Sequence, residues 1–183
     1  MKIGILSDSH HKNEYLKECI EFLKKENCEY LIHAGDICSK DGLDILKNSN
    51  LKYITVFGNN DRDLFQFSED YNIKKEPYYF KIEDKSFKLM HLPFHLHPDT
   101  DIIIFGHTHK FDCEYKNKKL FINPGEVCAR EKPIISCAKL EIKVSNLKVS
   151  LFGSLEKIGA PVRLARGDFT PSSLSIALTW FAF

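Results

Sequence analysis

The sequence predicts an α/β protein in which two sheets pack face to face with helices outside. Three observations carry that expectation. The first third alternates near-continuous apolar runs with amphipathic helical segments, and from Tyr78 onward short strand-like runs follow one another through tight connections. At 183 residues, 43% hydrophobic and 28% charged, the chain suits one domain with a full core and is too short for two ordinary ones.

Taken in order, Lys2 to Ser7 reads as a buried parallel strand. Asn13 to Glu26 reads as a helix, because Tyr15, Leu16, Cys19, Ile20, Phe22 and Leu23 recur at helical spacing with Lys and Glu between them. Tyr30 to Ala34 is a second strand, Gly42 to Asn48 a short helix and Leu51 to Phe57 a third strand. This β-α-β-α-β order implies right-handed crossovers with helices covering the sheet. Tyr78 to Ile82 and Ser86 to Met90 flank a hairpin-like turn at Glu83-Asp84-Lys85. Asp101 to Phe105, Phe111 to Tyr115, Leu120 to Asn123, Ile134 to Ile142 and Leu147 to Phe152 complete the strands.

Composition breaks after Phe152. Residues 153–183 hold Lys157 as their only lysine and no asparagine. We therefore expect one domain over 1–152 and a compositionally distinct C-terminal tail over 153–183. The tail ends in Leu174, Ile176, Ala177, Leu178, Trp180, Phe181 and Phe183, too short an apolar stretch to span a bilayer. Such a surface favours association, by covering the body or by packing on another subunit as in a homodimer, unless the tail is foreign to the domain.

A formal net charge of +1 gives no global field for nucleic acid, and no basic run with interleaved aromatics points to a broad nucleic-acid surface. The opening run Met1 to Leu6 is too short for a signal peptide, so we expect a cytoplasmic protein without membrane attachment. Six cysteines without a Cys-x-x-Cys pair then read as reduced thiols, not as a disulfide scaffold or a structural zinc site.

Function is carried by polar turns that follow the apolar runs. They are Asp8-Ser9-His10, Gly35-Asp36, Gly58-Asn59-Asn60-Asp61, His91 and Gly106-His107-Thr108-His109. Singly, Asp-Ser-His is a common loop sequence and Gly-Asn-Asn-Asp reads as a turn. The two imidazoles of His107 and His109, bracketing a small residue after a buried strand, have little packing purpose. Together the turns supply carboxylate, imidazole and amide oxygen donors without thiolate, a set suited to hard and borderline divalent ions. Gly35 lets the backbone come close to such an ion, and Asp36 is the natural bridge between two. Two divalent ions, less two carboxylates and a bridging hydroxide, leave a charge of about +1, suited to a phosphodiester monoanion. His11 is expected to be a solvated loop residue and His33 hydrogen-bonded near the sheet end, while His95 and His97 fit either a loop or the site.

In this order the motifs resemble those of the calcineurin-like metallophosphoesterase superfamily, and more narrowly its small prokaryotic phosphodiesterase (YfcE-type) branch. The resemblance runs from Met1 to about Phe152 and includes Ile122-Asn123-Pro124-Gly125-Glu126, where that branch has a similar Asn-Pro-Gly turn. It implies a four-layer α/β/β/α sandwich of two mixed sheets with flanking helices. It also implies a first metal held by Asp8, His10, Asp36 and His109, and a second by Asp36, Asn59, His91 and His107. Asp61 would orient a ligand or neighbouring loop. Mn²⁺ is the cation it implies first, with Ni²⁺, Co²⁺, Fe²⁺ and Zn²⁺ as alternatives, and a small phosphodiester is the implied substrate. The chain departs from the pattern at Asn60, where many relatives carry a histidine that protonates the leaving group or steadies phosphate. His91-Leu92-Pro93 replaces a His-Gly-His, and the segment between His91 and His107 is short for the helix usually found there.

The expected activity is thus hydrolysis of phosphodiesters at a dinuclear centre with a bridging hydroxide. The alternatives are a phosphomonoesterase of the same superfamily and a non-catalytic protein-binding scaffold of the same fold.

Overall fold

Strand and helix alternate through the first part of the chain as β1 (Lys2–Leu6), α1 (Asn13–Lys25), β2 (Tyr30–His33), α2 (Lys40–Lys47) and β3 (Lys52–Val56). The structure, a computed structural model, describes residues 1–142, 147–155, 161–170 and 173–177, with side chains over 1–142, 148–150 and at 152. Helix α2 starts earlier than its apolar spacing suggests because Ser39 is extended and its hydroxyl accepts from the Gly42 N–H at 3.0 Å, capping the first turn. A 3-10 turn at Arg62–Phe67 and the two-residue strand β4 (Ile73–Lys74) follow. Both are too short to leave a periodic signal.

The second half is built of β5 (Tyr78–Ile82), β6 (Lys85–Leu89), β7 (Ile102–Ile104), β8 (Phe111–Lys116), β9 (Lys119–Pro124), β10 (Ile134–Ile142), β11 (Leu147–Leu155), β12 (Pro161–Thr170) and β13 (Ser173–Ala177). One sheet has the order β13-β12-β11-β10-β1-β2-β3-β4 and the other β5-β6-β7-β9-β8. Both are mixed. β1 to β4 run parallel and β10 joins β1 antiparallel. In the second sheet β6, β7 and β9 are parallel to one another, with antiparallel strands at the edges.

Period-two alternation divides the apolar residues into two cores. Ile3, Ile5, Ile32 and Ile54 of the first sheet meet Phe87, Leu89, Ile102, Ile104 and Ile122 of the second. On the other face of the first sheet, Leu6 and Leu31 pack against Leu16, Ile20 and Leu23 of α1 and Leu43 and Leu46 of α2. Each such fully buried side chain contributes roughly 1.5–3 kcal/mol. Among the described residues no helix is long and apolar enough to cross a membrane.

The segment between His91 and His107, short for a helix by its sequence, covers the second sheet as a loop before it enters β7. Lys88, on the face of β6 opposite Phe87, is fully buried under the loop that follows His91. Its ammonium donates to the carbonyls of His95 (3.0 Å) and His97 (2.7 Å) and pairs with Asp99. That segment forms no helix and is held down by one charged anchor. The tail boundary expected at Gly153 falls inside β11, whose register with β10 continues to Leu155, and β12 and β13 extend the same sheet. Residues 178–183, the apolar end of the tail, lie outside the described residues.

Candidate metal centre

The donor-bearing turns all leave the carboxyl ends of β1, β2, β3, β6 and β7, and the structure brings them to one rim between the sheets. Their backbones are unusual. Asp8 (φ 55°), His10 (φ 40°), Asp36 (φ 57°), His107 (φ 68°) and His109 (φ 58°) all adopt left-handed conformations that L-residues rarely take. Glycine is required beside them. Gly35 has φ 88°, and a Cβ there would fall 2.8 Å from that of His91; a Cβ on Gly58 would fall 2.1 Å from Asp36 Oδ1.

Asp8 and Asp36 form the floor. Asp8 Oδ2 accepts from the Ser7 hydroxyl (2.6 Å) and the His107 N–H (3.0 Å). Its Oδ1 is buried without a hydrogen-bond partner and faces His109 Nε2 at 3.3 Å and His10 Nε2 at 3.8 Å. Asp36 Oδ1 accepts from the Asn60 N–H at 2.9 Å, and Oδ2 from the Asn60 side-chain amide at 2.7 Å. Asp36 Oδ2 also lies 3.4 Å from His10 Nε2 and 3.3 Å from His91 Nε2. Burial works to raise both carboxyls, but the hydrogen bonds and imidazole charges around them outweigh it, and both lie below the usual carboxylate range.

The imidazoles are oriented from behind. His91 is fully buried, and its Nδ1 donates to the Ala34 carbonyl at 2.8 Å, which turns Nε2 to the Asn59 carbonyl oxygen at 3.0 Å. His107 Nδ1 meets the same Asn59 oxygen at 3.1 Å. His109 Nδ1 lies 2.5 Å from Glu126 Oε2, so its Nε2 faces His10 Nε2 at 3.3 Å. Burial lowers His91, but its bond to Asp36 and that residue's charge raise it above the ordinary histidine value.

Asp36 lies at the middle of the rim, its Oδ2 between His10 and His91. Ligand atoms of Asp8, Asp36 and His91 lie within 4.8 Å of one another, as do those of His10, His109 and Cys128, while Asn59 Oδ1 meets His91 and His107. His107 and Asn59 are exposed and leave the rim open, whereas Asp8, Asp36 and His91 close its base. Asp61 is fully buried, and its carboxylate accepts from the N–H groups of Asp36 (2.8 Å), Gly58 (2.8 Å) and Cys38 (2.7 Å), tying the turn after β2 to the turn after β3. His95 and His97 are exposed on their loop. His33 is fully buried and, contrary to the expectation of a hydrogen-bonded residue, neither ring nitrogen has a partner.

Sequence reasoning gave no role to Ser7, Asn123 or Glu126. Asn123 donates to the Gly106 carbonyl (2.9 Å) and the Thr108 hydroxyl (3.0 Å), fixing the turn that presents His107 and His109. The Asn-Pro-Gly turn was visible in the sequence, but its partners lie in another strand connection and leave no local signal.

A two-sheet α/β fold with a nitrogen- and oxygen-lined rim at its strand ends is the class to which the phosphoesterases belong. The profile of the calcineurin-like phosphoesterase superfamily domain matches residues 1–145, and the chain belongs to that superfamily. Phosphodiesterase MJ0936 of Methanocaldococcus jannaschii is 33% identical over 141 residues, covering 70% of this chain and 85% of that protein. The solved structure of an archaeal phosphodiesterase has 28% identity and a TM-score of 0.69, over 90% of this chain and 100% of that one. Vacuolar Protein Sorting 29 from Cryptosporidium parvum has a TM-score of 0.73 at 21% identity, over 92% and 97% of the two chains, a likeness of fold alone.

Proposed function

We propose that this chain is a cytoplasmic, metal-dependent phosphodiesterase that binds two divalent cations, Mn²⁺ first, on either side of Asp36. The observation that carries the reading is the position of Asp36 Oδ2, 3.4 Å from His10 Nε2 and 3.3 Å from His91 Nε2, between two donor groups. The donors fit cations. Asp8 Oδ1 is buried and unpartnered, and the Nε2 atoms of His10 and His109, acceptors in the tautomers that bind a cation, face one another at 3.3 Å. Acceptors facing acceptors repel unless a positive charge lies among them.

On this reading Asp8, His10, Asp36 and His109 hold one cation and Asp36, Asn59, His91 and His107 the other. When bound, the cations would supply the Lewis acidity that lowers the pKa of a water nucleophile and screens phosphate charge. The chain's own residues do the rest. The left-handed turns aim the donors, Asn60 clamps both oxygens of Asp36, and Asp61 fixes the turns that carry Asp36 and Asn59. The open side at His107 and Asn59 admits the diester. Asn60 gives its side-chain amide to Asp36 and cannot deliver a proton, so departure of the leaving group relies on its own acidity or on water.

The support for a diester substrate is the 33% identical phosphodiesterase together with the modest charge of the donor set. The test is turnover of aryl and alkyl diesters and monoesters in parallel with Mn²⁺, Ni²⁺, Co²⁺ and Zn²⁺. Diester hydrolysis that needs added cation supports the proposal. Preference for monoesters would make the chain a phosphomonoesterase, and cation binding without any turnover would make it a binding scaffold.

A further inference from the structure

Glu126 is 2% exposed, and its carboxylate accepts from two backbone N–H groups and a thiol besides touching His109. Oε1 accepts the N–H groups of Glu131 (2.7 Å) and Lys132 (3.0 Å). Oε2 accepts the Cys128 thiol (3.2 Å) and stands 2.5 Å from His109 Nδ1. A group that already accepts from three donors is an ionised carboxylate, so the proton of the short contact belongs to His109 Nδ1 and, in the neutral ring, the lone pair to Nε2. The other imidazoles of the rim have no such partner. His91 Nδ1 rests on the neutral carbonyl of Ala34, and His107 Nδ1 faces the amide oxygen of Asn59.

We propose that Glu126 is a positioning residue that locks His109 in the Nδ1–H tautomer and thereby makes the Asp8–His10–Asp36–His109 group the tighter of the two cation sites. A carboxylate behind an imidazole fixes the ring and raises the basicity of the nitrogen that faces the metal; losing such a partner typically weakens binding about 10–100-fold. The inference rests on the proposed function and adds an order of loading to it.

Glu126→Gln is nearly isosteric but reverses the chemistry. The two backbone N–H groups must keep an oxygen, so the new amide NH₂ turns to His109, whose Nδ1 then has to accept. The proton moves to Nε2, where it points at Asp8 instead of a cation. Glu126→Asp keeps the charge and should lose less than Glu126→Gln.

The experiment uses the full chain, wild type and both variants, each folded by far-UV circular dichroism. Side-chain ¹⁵N NMR of the metal-free proteins reads the His109 tautomer, and Mn²⁺ titration followed by electron paramagnetic resonance reads the two affinities. The expected result is an Nδ1–H His109 in wild type and an Nε2–H His109 in Glu126→Gln. The tighter Mn²⁺ step should weaken about 10–100-fold in Glu126→Gln, the weaker step clearly less. An unchanged tautomer, unchanged affinities, equal loss at both steps, or a greater loss in Glu126→Asp would each overturn the inference while leaving the proposed function standing. A wild-type chain that binds no Mn²⁺, Ni²⁺, Co²⁺ or Zn²⁺ would overturn both.

Discussion

Replacing His33 should flatten the acid dependence of stability. The residue ends β2, is fully buried, and has no partner for either ring nitrogen. Burial drives the imidazole down from 6.5 to about 3, with the charge of Asp8 opposing the shift. The unfolded chain therefore takes up the proton first as the solution is acidified. There is no penalty above the unfolded value, and stability is lost progressively as pH falls from about 6.5 towards 3. Between pH 7 and pH 5 the loss from this group is about 2 kcal/mol, since each unit is worth about 1.4 kcal/mol. That is a large share of a typical net stability of about 5–15 kcal/mol. The assay is urea unfolding of chelator-treated wild type and His33→Gln at pH 7, 6 and 5, where the other acidic groups act equally on both proteins. Wild type should lose about 2 kcal/mol more than the variant over this range. Parallel curves, within about 0.5 kcal/mol, would show that His33 is hydrated or partnered in solution and would refute the argument from burial.

Three further outcomes follow from the site. Asp36→Asn should abolish turnover and lower bound metal from two ions to one or none; metal analysis showing two ions with near-normal activity would remove Asp36 as the bridge. Asp61→Asn must turn an amide N–H towards one of three backbone N–H groups and should destabilise the chain by about 2–4 kcal/mol, read by denaturant unfolding. Diester hydrolysis should depend steeply on leaving-group pKa, because a positioned general acid contributes about 10²–10⁴-fold and Asn60 is not one. A flat series, with chemistry rate-limiting, would reveal a protein acid and direct attention to His95 and His97.

What the sequence made legible is what repeats or clusters along the chain. Ile3, Ile5, Ile32 and Ile54 declare buried strands by their runs, and α1 declares itself by spacing. The donor turns were legible because each sits just beyond an apolar run, where a parallel sheet gathers its strand ends. Partners across the fold were not. Glu126 serves His109 from the connection after β9, and Ser7 was hidden beside Asp8 as an ordinary small residue. Nothing in its strand's sequence marks Lys88, and only the loop folded over it makes it a buried anchor. The break at Gly153 is one of composition, and a strand's hydrogen bonds need not stop where composition changes.

The left-handed backbone at Asp8, His10, Asp36, His107 and His109 also has to be held in place, at a cost of about 1–3 kcal/mol per residue. A bound cation could supply that restraint, but the chain already does so. The Asp8 N–H donates to the Gly35 carbonyl (3.1 Å), the His10 N–H to Asp36 (3.0 Å) and the Cys128 N–H to Asp8 (3.0 Å), so three turns are laced together through backbone alone. Asp61 adds its three N–H acceptances, Asn123 holds the turn at His107 and His109, and Asn60 clamps Asp36. Apart from Asn60, which bonds the Asp36 carboxylate itself, these bonds involve no donor atom that faces the rim, so the chain alone holds the turns in place. Donors held in advance lose little freedom when a cation arrives, which favours binding. The same preorganisation means that variants of this supporting layer should lower metal affinity even where every donor is intact.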